Sequence, residues 1–233
     1  ILNNENIEDK VPVTIDIESI EDKYLVKYRR VIEKKIHNND NIGVINGLWA
    51  NVLGRGGIIP IQTLFFPSST FLELKLTGLQ GDVMKESMNV AKTLAWNLTT
   101  PKNKKHWIKV FEDTKCQGLH IHCPEGAVNK DGPSAGAAIT VCIYSLLNKF
   151  KIPNNIAITG EINLQGEVTA IGGLDCKIIG GIKAGVTKFF FPKSNERDFI
   201  QFKNDTKNKY INNNIEFVQI EDIHSLLKEL SLL

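Results

Sequence analysis

Apolar positions change their spacing several times along this 233-residue chain, and the changes mark its elements. From Ile42 onward, IGVINGLWANVL, IIPIQTLFF and FLELKLTG are short β-rich runs divided by Gly and Pro, which predicts a small sheet. GDVMKESMNVAKTLAWNL then sets Val83, Met84, Met88, Ala91, Leu94 and Ala95 near helical spacing with charges between them, an amphipathic helix. PKNKKH reads as a basic linker into GLHIHC, a strand with Leu119 and Ile121 on one face and His120 and His122 on the other. PSAGAAITVCIYSLLNKF is apolar nearly all round, the mark of a buried helix. IAITGEI and GEVTAIG read as two strands joined by a turn from Asn163 to Gly166, LDCKIIGGIKAG as a helix, KFFFP as a strand and EDIHSLLKEL as a closing helix. A strand-rich first half followed by alternating strands and helices predicts a mixed α/β (α+β) domain with one sheet and packed helices.

Upstream of these runs the pattern differs. IESIEDKYLVKYRRVIEKK carries acidic and basic helix-like patches and gives way to IHNNDN, rich in turn formers, so a boundary is expected near Asn39. The start, ILNNENIEDK, has neither a signal peptide nor an Arg-rich transit segment and reads as a cut from a longer chain. Lys and Arg number 28 against 26 Asp and Glu, a balance that argues for neither nucleic acid nor acidic lipid as partner. The longest uncharged run, Gly132 to Asn148, is too short for a membrane span and opens with Gly-Pro. Cys116, Cys123, Cys142 and Cys176 show no CxxC spacing, so they are expected to be reduced thiols in a soluble globular protein.

Candidate chemistry centres on KDGPSAGAAIT. Pro133 fits the first helical position, which puts Ser134 in a first turn, where free backbone amides and the helix dipole favour an oxyanion or a phosphate. A helix start that only needs small residues explains the same text. Gly132 to Gly136 also satisfies GxSxG, but the strand GLHIHC ends well upstream, a Pro sits in the elbow, and His224 is the only histidine downstream. A phosphate loop lacks support, since no Gly-x4-Gly-Lys-Ser/Thr run occurs. A serine with a lysine base needs no histidine, and it requires a desolvated lysine. Lys177 is the candidate: it lies on the stripe Leu174, Ile178, Gly181, Ile182, Gly185, whereas Lys183 lies off it. A lysine that snorkels from the stripe edge to water is the alternative.

These residues bring a family into view. HIHCPEGAVNKDGPSAGAAIT resembles the serine motif, and TGEINLQGEVTAIGGLDCKIIGGIKAG the lysine motif, of the proteolytic domain of Lon, an ATP-dependent serine protease. TGLQGDVMKES is similar to a segment upstream in the same family, and VTIDIESIEDKYLVKYRR more weakly to the tail of the helical subdomain that follows its ATPase module. The resemblance implies residues 1–40 as that tail and a linker, and 41–233 as the proteolytic domain, with a fold similar to domain 2 of a small-subunit ribosomal protein. It implies Ser134 as nucleophile, Lys177 as general base, Thr159 orienting the lysine, and Asp131 in a loop that shapes the oxyanion site. His120 and His122 match a family HxH and are read as structural; a metal pair would need a third ligand, which no spacing supplies. No cofactor and no metal are expected in this chain. ATP and Mg2+ are expected for the full-length protein, as are unfolded polypeptide substrates, a homo-oligomer of six subunits, and a mitochondrial matrix location, with the bacterial cytoplasm as alternative. After Trp49 the chain departs from the family, reading ANVLGRGGIIPIQTLFFPSST where a shorter Gly-Gly turn is usual.

Overall fold

Val44–Ala50 (β1) and Gly56–Phe66 (β2) form an antiparallel hairpin whose tip is closed by Asn51: its side-chain carbonyl accepts from the amides of Leu53 and Arg55. This hairpin is the middle of a seven-stranded sheet. Leu74–Thr77 (β3) and Gly118–His122 (β4) extend it on one side, with β4 antiparallel to β2 and β3 parallel to β4. Ile156–Ile158 (β5), Lys188–Pro192 (β8) and Glu216–Ile220 (β9) extend it in parallel on the other. The spatial order is β3-β4-β2-β1-β5-β8-β9, and Glu161–Ile162 (β6) with Val168–Thr169 (β7) makes a separate two-stranded hairpin.

The computed structural model describes residues 20, 34–124, 131–204 and 214–232. Contacts divide the chain into residues 1–32 and 33–233. Apart from Ile20, Lys34 and Lys35, the helix-like stretch IESIEDKYLVKYRRVIEKK lies outside the described residues.

Helices cover both faces of the sheet. Asp82–Leu98 (α1) and Gly136–Asn148 (α3) lie over one apolar cluster, and Leu174–Ala184 (α4) with Glu196–Asn204 (α5) over the other. Strand β8 shows why: Phe190 belongs to the first cluster, Phe189 and Phe191 to the second. A strand buried on both faces has no polar face to alternate, which explains the continuous FFF. The chain closes with Ile223–Glu229 (α6), started by an Asp222–Ser225 capping box.

Several expectations need correction. PKNKKH is not a linker but the first turns of a helix, Pro101–Thr114 (α2), with Thr100 as cap accepting from Asn103 N and Pro101 at the first position. Its polar surface hid it, because Trp107 is its one fully packed side chain. On α1, Val83 is 45% exposed and Ser87 takes its place on the buried face. IAITGEI is not one strand: β5 ends at Ile158, Thr159 and Gly160 break away, and β6 joins the small hairpin. Helix α5 and strand β9 had no counterpart in the sequence reading.

Helix α4 approaches β2 at glycines. A Cβ on Gly180 would stand 2.1 Å from the Gly56 carbonyl carbon, and one on Gly56 would stand 2.0 Å from Cys176 O. Both neighbours are backbone and cannot swing aside. Gly180→Ala is therefore expected to destabilise by about 1–3 kcal/mol despite alanine's better helix propensity. Gly172→Ala, with no atom within 4 Å of the added carbon, is expected to stay within about 0.5 kcal/mol of the parent. Urea unfolding of both variants reads the difference.

Candidate active site

The Ser134 turn is built from its neighbours. Gly132 enters at φ 123°, a conformation that suits glycine, Pro133 starts a short 3-10 turn, Pro133–Ala135, and α3 continues from Gly136. Helix α3 is buried almost completely, so this turn is fixed by the core beneath it. Its backbone is also tied sideways: Gly160 N donates to Ser134 O at 2.8 Å and Ala137 N to Gly160 O at 3.0 Å. Ser134 itself is half-buried. This is no strand-to-helix elbow, and His224 lies exposed on α6, so the GxSxG reading fails on geometry as well.

Lys177 occupies the first turn of α4 and is 4% exposed. Its helix buries Leu174, Lys177, Ile178, Gly180, Gly181 and Ala184, while Lys183 is exposed. The expected stripe thus holds at Leu174, Ile178 and Gly181, with two corrections: Ile182 is only half-buried, and Gly185 is the C-cap at φ 101°. Lys177 does not snorkel out. Burial lowers its pKa from 10.5 to about 8, and no charged side chain contributes to that shift.

Thr159 joins the two. It sits where β5 ends, held by Thr159 N to Phe190 O at 3.0 Å, and it is fully buried. Lys177 Nζ donates to Thr159 Oγ1 at 3.4 Å, and Thr159 Oγ1 donates to Ser134 O at 3.2 Å. The hydroxyl accepts from the lysine and passes its own proton to the backbone of the serine. Among the described residues no hydrogen bond joins Ser134 Oγ to Lys177 Nζ; the two are linked through Thr159 and the serine carbonyl.

Asp131 performs a task the sequence did not announce. Its carboxylate accepts from Met84 N at 3.1 Å and from Gly132 N at 2.9 Å, so it caps α1 from another part of the chain. Gly81, the N-cap, has no side chain to do so. Ser87 adds a long contact at 3.5 Å to Pro133 O, so α1 grips the loop on both sides of Gly132. His120 Nε2 and His122 Nδ1 both meet Thr77 Oγ1, at 2.9 and 2.7 Å. Burial, then Lys75 and His122, lowers the His120 pKa. No group of three metal-ligating side chains occurs among the described residues. Among the described residues no disulfide is formed; Cys123 and Cys142 lie in the core and Cys116 is exposed, and no helix among the described residues is long and apolar enough to cross a membrane.

A serine on a tight turn thus stands near a buried lysine on a mixed α/β frame, an arrangement compatible with the serine peptidases. The comparisons give the particular family: a model of the Lon protease C-terminal proteolytic domain matches residues 14–232, and the chain belongs to that family. The Lon protease of Clostridium acetobutylicum is 37% identical over 194 residues, which is 83% of this chain and 23% of that protein. That of Clostridioides difficile is 37% identical over 224 residues, 96% of this chain and 26% of that protein. Lon protease homolog 2, peroxisomal, of Pichia angusta is 36% identical over 196 residues, 80% of this chain and 20% of that protein. The chain therefore spans about a quarter or less of these relatives.

The buried amine has a consequence for stability. Lys177 holds its proton up to about pH 10.5 in the unfolded chain and only to about 8 in the folded one. Between those values the unfolded state binds more protons, so folding stability rises with pH. Below about pH 8 the cost of burying the charge is fully present. Lys177→Met is expected to be more stable than the parent at neutral pH, with the gap closing from pH 8 to 10.5. Denaturant unfolding across that range measures it; a gap independent of pH would contradict the burial.

Proposed function

We propose that this chain hydrolyses peptide bonds by a Ser134–Lys177 dyad. Neutral Lys177 takes the proton of Ser134 as Oγ attacks the carbonyl, and an acyl-enzyme forms. The departing amine receives that proton, and a water activated by the same lysine releases the acyl group. Gly136 N–H is engaged by Pro133 O and Ala137 N–H by Gly160 O, so the earlier amides of the turn, those of Ser134 and Ala135, are the proposed oxyanion donors. The observation that carries the reading is the depressed amine. At pH 7 a lysine titrating at about 8 is neutral in roughly one molecule in ten, roughly 300-fold more often than one titrating at 10.5. Thr159 takes one N–H of that amine and leaves its lone pair free for the serine.

For the whole protein we propose ATP-dependent degradation of unfolded polypeptides, with ATP and Mg2+ bound by a part outside these residues and six copies forming a ring. The relatives' names support the protease, and the fraction of their length that the chain covers leaves room for a further part. For its location we propose the mitochondrial matrix in the first reading and the bacterial cytoplasm in the second, which the bacterial relatives favour.

A fluorophosphonate that labels activated serines tests the dyad. It is expected to attach at Ser134 with a rate that rises with pH through about 8, and to fail on Ser134→Ala and Lys177→Met. Ser134→Ala is expected to change stability by no more than about 1 kcal/mol. Thr159→Val is expected to lower the plateau more than it moves the midpoint. A midpoint near the histidine value of about 6.5 that disappears in His224→Ala would overturn the dyad.

A further inference from the structure

The contact between Lys177 and Thr159 is long, 3.4 Å, at the outer limit of a hydrogen bond. A few tenths of an ångström would break it, so whatever sets the position of α4 against β5 sets the base. Both partners are referenced to one strand. β8 holds Thr159 through Phe190 O, and directly after β8 the 3-10 turn Lys193–Asn195 presents Asn195, which is 2% exposed.

The Asn195 amide closes on the peptide that leads into the lysine helix. Asn195 Oδ1 accepts from Ile171 N at 2.9 Å, and Asn195 Nδ2 donates to Ile171 O at 2.8 Å. A further donation from Nδ2 to Asp198 Oδ2 at 2.6 Å orients the amide and fixes which atom faces which. Ile171 is nearly buried, and after Gly172 and Gly173 the helix begins at Leu174. Two glycines cannot transmit a position stiffly by themselves, so a clamp immediately before them defines where α4 starts. A side chain chosen only to fill space would not satisfy both backbone groups of one residue.

We infer that Asn195 is the positioning residue that holds the Lys177 helix in register with Thr159, through the Ile171 peptide. It touches neither substrate nor the reacting atoms. Its removal lets α4 shift from β8, lengthens the Lys177–Thr159 contact and admits water to the amine. The inference rests on Lys177 as base, and the experiment separates the two.

The 233-residue chain is acylated in single turnover by an activated peptide ester across pH 6 to 11, and the rate and its midpoint are read for each variant. Asn195→Ala is expected to move the midpoint upward from about 8 toward 10.5, and to slow acylation at pH 8 by about tenfold or more. The peptide concentration at half-saturation is expected to stay within about twofold, since no substrate contact is lost. Asn148→Ala is the control for general loosening: Asn148 is also buried, and its amide bonds Tyr144 O and Thr99, away from α4. It is expected to lower stability and leave the midpoint alone. Asp198→Ala keeps Asn195 and frees its amide, and is expected to shift the midpoint in the same direction by less; this exposed site serves if Asn195→Ala does not fold. An unmoved midpoint in Asn195→Ala, or in Asp198→Ala where it replaces it, overturns the assignment, as does an equal shift in Asn148→Ala. Acylation that survives in Lys177→Met would instead remove the base itself.

Discussion

A lysine amine can work as a base near neutral pH only where water is kept from it, and the proposed role of Lys177 places that requirement on this domain. Packing keeps water from Lys177, and among the described residues burial is what lowers its pKa. The helix that carries it must therefore lie close against the sheet. Gly56 and Gly180 allow that approach, each standing where a β-carbon would meet backbone. Leu174 and Ile178 fill the layer beneath, among Leu48, Ile58, Phe189 and Phe191.

The two halves of the site come from opposite faces of one sheet. Ser134 arrives on the 3-10 turn that leads into α3, a helix embedded in the larger apolar cluster, and Lys177 on α4, which covers the smaller one. They can meet only where the sheet ends, and the break of β5 after Ile158 supplies that place. Thr159 and Gly160 turn out of the strand there. Gly160 pairs with the serine turn through two backbone hydrogen bonds, while Thr159 bonds both the lysine amine and the serine carbonyl. The geometry between Ser134 and Lys177 thus depends on strand positions, and strands buried on both sides move little.

Much of this was legible in the residues. Short apolar runs gave β1, β2 and β3, the all-round apolar text gave α3, and spacing placed Lys177 inside and Lys183 outside. What escaped had a faint local signature or none. Helix α2 is polar on most of its surface, so periodicity was faint, although Thr100-Pro101 was a start signal that could have been used. Helix α5 gave few apolar positions, whereas Phe217, Val218 and Ile220 of β9 were a signal that could have been used. At the site, Ser134, Thr159 and Lys177 stood out through the motif. The bonds of Asp131 to Met84 and of Asn195 to Ile171 did not, because each joins residues distant in sequence, 47 and 24 positions apart. The text around PKSN contains nothing to say which backbone it will meet.

The central claim is that the folded protein holds Lys177 as an amine it can deprotonate near neutral pH. Its most direct measurement is an NMR titration of the Lys177 side-chain nitrogen in the uniformly labelled chain, assigned by its disappearance in Lys177→Met. The account predicts a single transition near pH 8, well below the 10.5 of an ordinary lysine. A transition at 10.5, alongside the exposed lysines, would contradict it.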